Sequence, residues 1–437
     1  MQECIIVEQT HNIEGEISLS GAKNAVLVIM ASTLLNSGKN TLRNVPNSED
    51  VLCMINLLEE LGAQVNFDQL NKVLEIDTST VINYKVSPNI MKKMRASVLV
   101  MGPLLARFSK TEISLPGGCV LGKRPINYHL DNFKKVGVTF EQSGDYLVGS
   151  TNKLLAKRLA LEYPSVGATE NLMMSAVLTQ GKTTIVNAAL EPEVLDLIEV
   201  LKRMGAKISI LPPATIEIEG VNTLNAVEHS ILCDRLEAGS LLLAAAITGG
   251  NIHIPNASAN LLDVFLMKLE EMGHSILIGQ NGQSIRLMAC KSPKAVSFKT
   301  APYPGFPTDL QAPMLVAQTL AEGVSEIEET VFENRLIHIF ELQKMGAKII
   351  LENNNKAIIT GVKELVGTEV VASDIRASCA LVLAGLAANG KTIVKGVHHF
   401  KRGYDALDQK LRSLGAQIKI EKQDILQDIP KEKTLEI

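Results

Sequence analysis

The segment SLPGGCVLGKRP (residues 114–125) sets Cys119 between Gly117, Gly118 and Gly122, with Lys123 and Arg124 directly after. Neighbouring cations stabilise a thiolate, drawing a thiol down from its ordinary value of ~8.5. Such a group can give and regain a proton near neutrality. Glycines on either side suit a loop that folds over a bound substrate as a lid. The thiols of Cys53, Cys233, Cys290 and Cys379 sit in apolar periodic segments and read as small buried hydrophobes instead.

A second set of polar residues recurs at the start of apolar stretches: Lys23 and Asn24 in GAKNA, Arg95 in MRAS, Ser165 and Gly167 in SVGAT, Arg235 in CDRLEAGS, Asp309 in FPTDLQA and Arg376 in SDIRAS. Fourteen residues beyond Arg95, Gly167, Arg235, Asp309 and Arg376 the chain reaches Ser109, Gly181, Gly249, Gly323 and Gly390, so all but one of these stretches ends in glycine. A helix N-terminus presents free N–H groups and a partial positive charge. Lysine or arginine there works against the dipole, so helix stability is a poor reason for it. If the starts share one cleft, they suit a phosphate- or carboxylate-bearing substrate. The plainer alternative is that each cation pairs with a surface carboxylate. VFENR, with Arg335, and FKRGYD, with Arg402 before a glycine turn, are assigned to the same cleft; arginine suits forked contact to carboxylate or phosphate.

The elements that must position these residues are written six times. LEELGAQV, FKKVGVTF, LKRMGAKI, LEEMGHSI, LQKMGAKI and LRSLGAQI place Gly62, Gly137, Gly205, Gly273, Gly346 and Gly415 at intervals of 68 to 75 residues. Each phrase reads as an amphipathic helix closed by glycine and followed by an alternating strand. Upstream of each lies an Ala-rich stretch, apolar nearly all round and therefore buried on all sides. The unit is buried helix, strand, amphipathic helix, then one or more strands. Six units form two α/β domains of three, each with three inward helices. An open solenoid without chemistry is the alternative, but terminal capping units are not apparent.

The 437 residues suit about two or three domains, and 46% are apolar although Trp is absent. The net charge of −4 argues against nucleic acid as partner. No apolar run reaches the ~18 residues of a membrane span, and MQECIIVEQ lacks the pattern of a signal peptide. Six scattered cysteines with no CxxC pair fit a reducing, cytoplasmic setting without disulfides.

In order, GAKNA, MRAS, LPGGCVLGKRP, SVGAT, APYPGFPTDLQA, TVFENR, DIRAS and RGYD resemble the UDP-N-acetylglucosamine 1-carboxyvinyltransferases, the enolpyruvyl transferases that open peptidoglycan synthesis. The resemblance implies two inside-out α/β barrels, residues 22–232 and residues 1–21 plus 233–422, with residues 423–437 as an extension. It implies transfer of the enolpyruvyl group of phosphoenolpyruvate to the sugar 3′-hydroxyl, with loss of phosphate. Cys119 becomes the proton donor and Asp309 the general base, with Lys23 and Arg402 completing the catalytic set. Lys23, Asn24, Arg124, Arg335, Asp374, Arg376 and Arg402 match the phosphoenolpyruvate site. Arg95, Arg124, Pro125, Ile126, Asn127, Tyr128, His129, Ser165, Val166, Gly167, Asp309 and Val331 match contacts to the nucleotide sugar. No metal or organic cofactor is implied.

Asn127 stands where that family usually has Asp, Tyr128 where an aliphatic residue is common, and Lys401 where an acid is frequent. The sister enzyme acting on shikimate 3-phosphate lacks the LPGGC loop. A non-catalytic nucleotide-sugar binder would not need Cys119, Asp309, Lys23 and Arg402 together. An RNA 3′-phosphate cyclase shares the repeat type but not the motifs.

Overall fold

The structure, a computed structural model, describes residues 2–114 and 126–423. Cys119, Lys123, Arg124, Pro125 and the extension 424–437 lie outside the described residues, as does the side chain of Arg95.

Each of the six repeat glycines closes its helix in the way its spacing predicts. Gly62, Gly137, Gly205, Gly273, Gly346 and Gly415 all have φ between 92° and 106°. In the first unit the N–H of Gly62 donates to Glu59 O at 2.9 Å and that of Ala63 to Leu58 O at 2.9 Å; the same pair of bonds closes the other five. The left-handed residue thus satisfies carbonyls that the helix end leaves free. The outer helix Pro192–Arg203 illustrates the amphipathic member. Proline opens it, Val194, Leu197, Ile198 and Leu201 face inward, and Lys202 and Arg203 lie in its last turn. Burying each such aliphatic side chain stabilises by roughly 1.5–3 kcal/mol.

The inner helices are buried nearly throughout. In Lys23–Ser32 every residue except Asn24 is buried, and in Arg235–Thr248 every residue except Ile247. The inner helices reach the fourteen residues the sequence predicts only in Arg235–Thr248, and two units start late. Arg95–Val100 and Thr308–Leu310 are 3₁₀ turns, and the α-helices Met101–Phe108 and Gln311–Thr319 begin after them. Pro103 and Pro313, each third in its helix, lack the N–H that an unbroken ladder would use, so the first turn tightens instead. Ser109, the one terminal residue that is not glycine, nevertheless adopts φ 57°.

Among the described residues there are six sheets, three per set of inner helices. In five of them the strand after the inner helix pairs with a hairpin, as Lys39–Arg43 does with Val73–Asp77, itself paired to Gln64–Asp68. A short parallel strand flanks it in five sheets, and the single bridge Lys85–Glu112 takes that place in the sixth. The last unit completes its sheet with the beginning of the chain: Gln2–Glu8 lies between Lys391–Lys395 and Ile418–Gln423.

Buried apolar residues form two clusters. One runs from Ala22 to Ile231; the other takes Ile5, Val7, Ile13 and Leu19 together with residues from Leu236 to Ile418. We propose that these are the cores of two domains divided as the repeats suggest, termed the first and second lobes. The chain passes between them twice, at adjacent positions. Ala22 N donates to Leu232 O at 2.8 Å and Asp234 N to Ser20 O at 2.9 Å.

Candidate active site

The six starts of the inner helices carry the polar residues singled out by sequence. Lys23 is the first residue of its helix and Val166 and Arg235 of theirs; Arg376 is second in Ile375–Ala387, and Asp309 sits in the turn before Gln311–Thr319. Three starts are capped by side chains: Ser165 accepts from Ala168 N, Asp234 from Leu236 N and Glu237 N, and Asp374 from Arg376 N and Ala377 N. Asp374 is therefore a helix cap, and its second oxygen accepts from Ser373 Oγ at 2.9 Å. A Cβ on Gly239 would stand 2.4 Å from Leu310 Cδ1, so glycine there lets the turn bearing Asp309 dock on Arg235–Thr248.

Asp309 lies between two arginines. Its Oδ1 accepts from Arg335 Nη2 at 2.7 Å and its Oδ2 from Arg376 Nη2 at 2.6 Å. Burial raises its carboxyl, but the two guanidinium groups outweigh that and hold it far below the usual carboxylate range. Both arginine side chains are buried while about a quarter of Asp309 remains open, at 24%. Arg335 also donates to Thr308 Oγ1 at 3.2 Å, and Arg376 to Tyr404 OH at 3.1 Å.

A second acid joins cations from both lobes. Lys23 Nζ donates to Asp50 Oδ2 at 3.1 Å, and Arg402 Nε donates to Asp50 Oδ1 at 2.8 Å. Burial again raises the carboxyl, and Lys23 and Arg402 together bring it below its ordinary value. Asn24 is exposed beside this group and makes no hydrogen bond among the described residues. A third pair also crosses the lobes: Arg235 donates to Glu193 at 3.1 and 3.3 Å, with both side chains buried. The cations thus do have carboxylate partners: buried Asp50 and Glu193 across the lobes, and partly open Asp309 within the second, rather than the surface carboxylates of the plainer expectation. The cleft is a mosaic of both signs, not a bare array of positive charge.

Of the described residues matched to the nucleotide sugar, Tyr128, His129, Ser165, Val166 and Gly167 lie at the start of the third inner helix, Val166–Ala176. His129 is buried, its Nδ1 lies 3.0 Å from Asn171 Nδ2, and its Cε1 is 3.2 Å from where a Cβ on Gly167 would sit. Tyr128 stacks on Tyr163 with ring centroids 6.5 Å apart, and Ser165 N donates to Tyr163 O. Burial, with Glu191 and Glu329 nearby, pushes the Tyr163 phenol up to about 12. Glu329 in turn accepts from the N–H of Val331 and from Thr308 Oγ1, which ties Val331 to the turn carrying Asp309. Ile126 is buried, and Asn127, exposed, opens the helix Asn127–Lys135.

The glycine turn expected after Arg402 is absent. Gly403 is the last residue of the helix Val397–Gly403, and the left-handed residue is Ala406, with φ 52°. Gly403 serves close packing instead, since a Cβ there would meet Ile375 Cγ2 at 2.2 Å. Lys401 points elsewhere, donating to Glu3 at 2.6 Å.

Several residues escaped sequence reasoning. Asp50 is one of two acids in the first turn of Glu49–Glu60, an ordinary place for an acid beside a helix dipole. Glu193 has the same disguise in Pro192–Arg203. Glu170 carried a usable signal, being the one acid in the apolar helix Val166–Ala176. Its burial, with Glu193 and Glu191 near, raises its carboxyl well above the ordinary value.

Residues 7–411 match the family described as EPSP synthase (3-phosphoshikimate 1-carboxyvinyltransferase). The chain belongs to this family of enolpyruvyl transferases. It is 45% identical over 416 residues, 95% of this chain and 98% of the relative, to UDP-N-acetylglucosamine 1-carboxyvinyltransferase of Saccharophagus degradans. It is 46% identical over 418 residues, 96% of this chain and 99% of the relative, to UDP-N-acetylglucosamine 1-carboxyvinyltransferase 1 of Caldanaerobacter subterraneus subsp. tengcongensis. Among solved structures, the enolpyruvyl transferase NikO from Streptomyces tendae superposes with a TM-score of 0.88 at 22% identity, covering 97% of this chain and all of that one. EPSP synthase from Acinetobacter baumannii superposes with a TM-score of 0.74 at 15% identity, over 97% of this chain and all of that one. The mixed α/β fold is that of the enolpyruvyl transferases.

Proposed function

We propose that this chain transfers the enolpyruvyl group of phosphoenolpyruvate to the 3′-hydroxyl of UDP-N-acetylglucosamine and releases phosphate, in the cytoplasm, as the first committed step of peptidoglycan synthesis. The observation that carries this reading is the name shared by relatives at 45% and 46% identity over nearly the whole chain. No helix among the described residues is long and apolar enough to cross a membrane, and the five cysteines among them are free.

The chemistry assigns each group a task. Cys119 gives a proton to C3 of the enol, and C2 becomes open to attack by the sugar oxygen. Asp309 takes the hydroxyl proton. C3 then returns a proton to the Cys119 thiolate while the C2–O bond to phosphate breaks, and Lys23 and Arg402 hold the departing phosphate. Asp309 is a poor base while Arg335 and Arg376 both donate to it. The carboxylate of phosphoenolpyruvate is the natural competitor for those two forks. Its arrival frees Asp309 as the base is needed. Tyr128, His129 and the capped start at Ser165–Val166–Gly167 form the nucleotide-sugar side, where a diphosphate would meet helix N–H groups.

A coupled phosphate-release assay with phosphoenolpyruvate tests the reading. UDP-N-acetylglucosamine should support turnover and shikimate 3-phosphate should not; the reverse preference would overturn it. Cys119→Ala should abolish release. Cys119→Asp should retain part of it, because a carboxyl also donates a proton, while losing sensitivity to the epoxide fosfomycin.

A further inference from the structure

We propose that Asp50 is an internal stand-in for the substrate's phosphate: its carboxylate holds the two cations that a phosphate takes over. The inference rests on the function proposed above. Asp50 is 4% exposed, and its two oxygens are divided between Lys23 of the first lobe and Arg402 of the second. An acid that only complemented its helix dipole would need neither partner and no burial. Arg402 uses Nε alone; its two Nη groups make no hydrogen bond among the described residues, and 27% of its side chain stays open. The fork is therefore half engaged, as a temporary partner would leave it. One carboxylate against two cations leaves a net positive charge for an incoming anion. The same carboxylate must then repel that anion at close range. Asp50 is a positioning residue acting through Lys23 and Arg402, and it touches no reacting atom.

Two opposing changes follow for Asp50→Asn. Inorganic phosphate, titrated by calorimetry, should bind at least tenfold more tightly, because a competing charge is gone. With both substrates, KM for phosphoenolpyruvate should fall while kcat also falls at least tenfold, because the two cations lose their alignment. Asp50→Glu should restore phosphate affinity to within a fewfold of the unmutated protein. Unchanged or weaker phosphate binding by a folded Asp50→Asn protein overturns the proposal. Should that variant fail to fold, the unmutated protein decides. Saturating phosphate should shift the side-chain Nε–H resonance of Arg402, assigned by its loss in Arg402→Lys, and no shift on saturation overturns the proposal. Absence of turnover with UDP-N-acetylglucosamine in the unmutated protein would count against the function, and the phosphate comparison would still judge Asp50.

Discussion

Two triads of the same charge pattern gather residues from the helix starts, and they are built for different duties. Each has one aspartate gripped by two cations. Asp309, Arg335 and Arg376 all belong to the second lobe, and both arginines are nearly enclosed, at 4% and 6% exposure. Asp50 and Lys23 belong to the first lobe and Arg402 to the second, so this triad exists only while the lobes meet. The first arrangement is drawn from one set of three repeats, and the second joins residues of both sets. A ligand that displaces Asp50 thus changes how the lobes are joined, whereas one that displaces Asp309 changes only the chemistry inside one lobe.

The sharpest way to break the comparison is to neutralise each acid. Asp309→Asn should lower phosphate release by about 10²–10⁴, the usual range for a general base, and should destabilise by about 3 kcal/mol because two buried arginines lose their counter-charge. The loss for Asp50→Asn should be clearly smaller on both measures, read by turnover and urea midpoint. Next in size, Arg376→Ala should lower the urea midpoint more than Arg402→Ala, since Arg402 is partly open to water. Equal losses would mean that the two triads do not differ in rigidity.

The acid limb of the stability curve separates the aspartates from two buried histidines. Asp50 and Asp309 are lowered in the folded state, so each contributes fully above the unfolded-state value, about 3.9, and loses its contribution as pH falls through the folded-state value. Burial brings His274 and His338 down to about 4. Their contribution is complete above the unfolded-state value of about 6.5 and is lost as pH falls toward the folded one. His274→Gln should flatten the decline between about pH 6.5 and 4, and Asp309→Asn only the decline below it. The smallest effect belongs to a half-buried tie between the lobes. Lys72 donates to Asp405 and to Ser20, and a double-mutant cycle on Lys72 and Asp405 should give a coupling of about 1 kcal/mol or less.

The repeat was legible because it rests on local rules: a glycine at a helix end, an Ala-rich run that must be buried, an alternating strand. The helix starts were legible because lysine and arginine are out of place there. What could not be read was the partner of each cation. Asp50 lies 27 residues from Lys23 and 352 from Arg402, and no pattern in the chain joins them. The Gly403 expectation failed because glycine has two uses, a turn or a close approach, and only the position of Ile375 distinguishes them. The broken inner helices at Arg95 and Asp309 were foreshadowed by Pro103 and Pro313, whose missing N–H the sequence does show.

The strand Gln2–Glu8 has a consequence for the order in which the chain is made. Among the described strands it is made before any other, yet both neighbours it hydrogen-bonds, Lys391–Lys395 and Ile418–Gln423, are made after nearly all the rest. The described strands of the first lobe's sheets are all made by Ser230, so that lobe can fold during synthesis. The second must wait, its earliest segment held open until Ile418–Gln423 has been made. Deleting a handful of residues at the start should therefore cripple the half of the molecule encoded at the end.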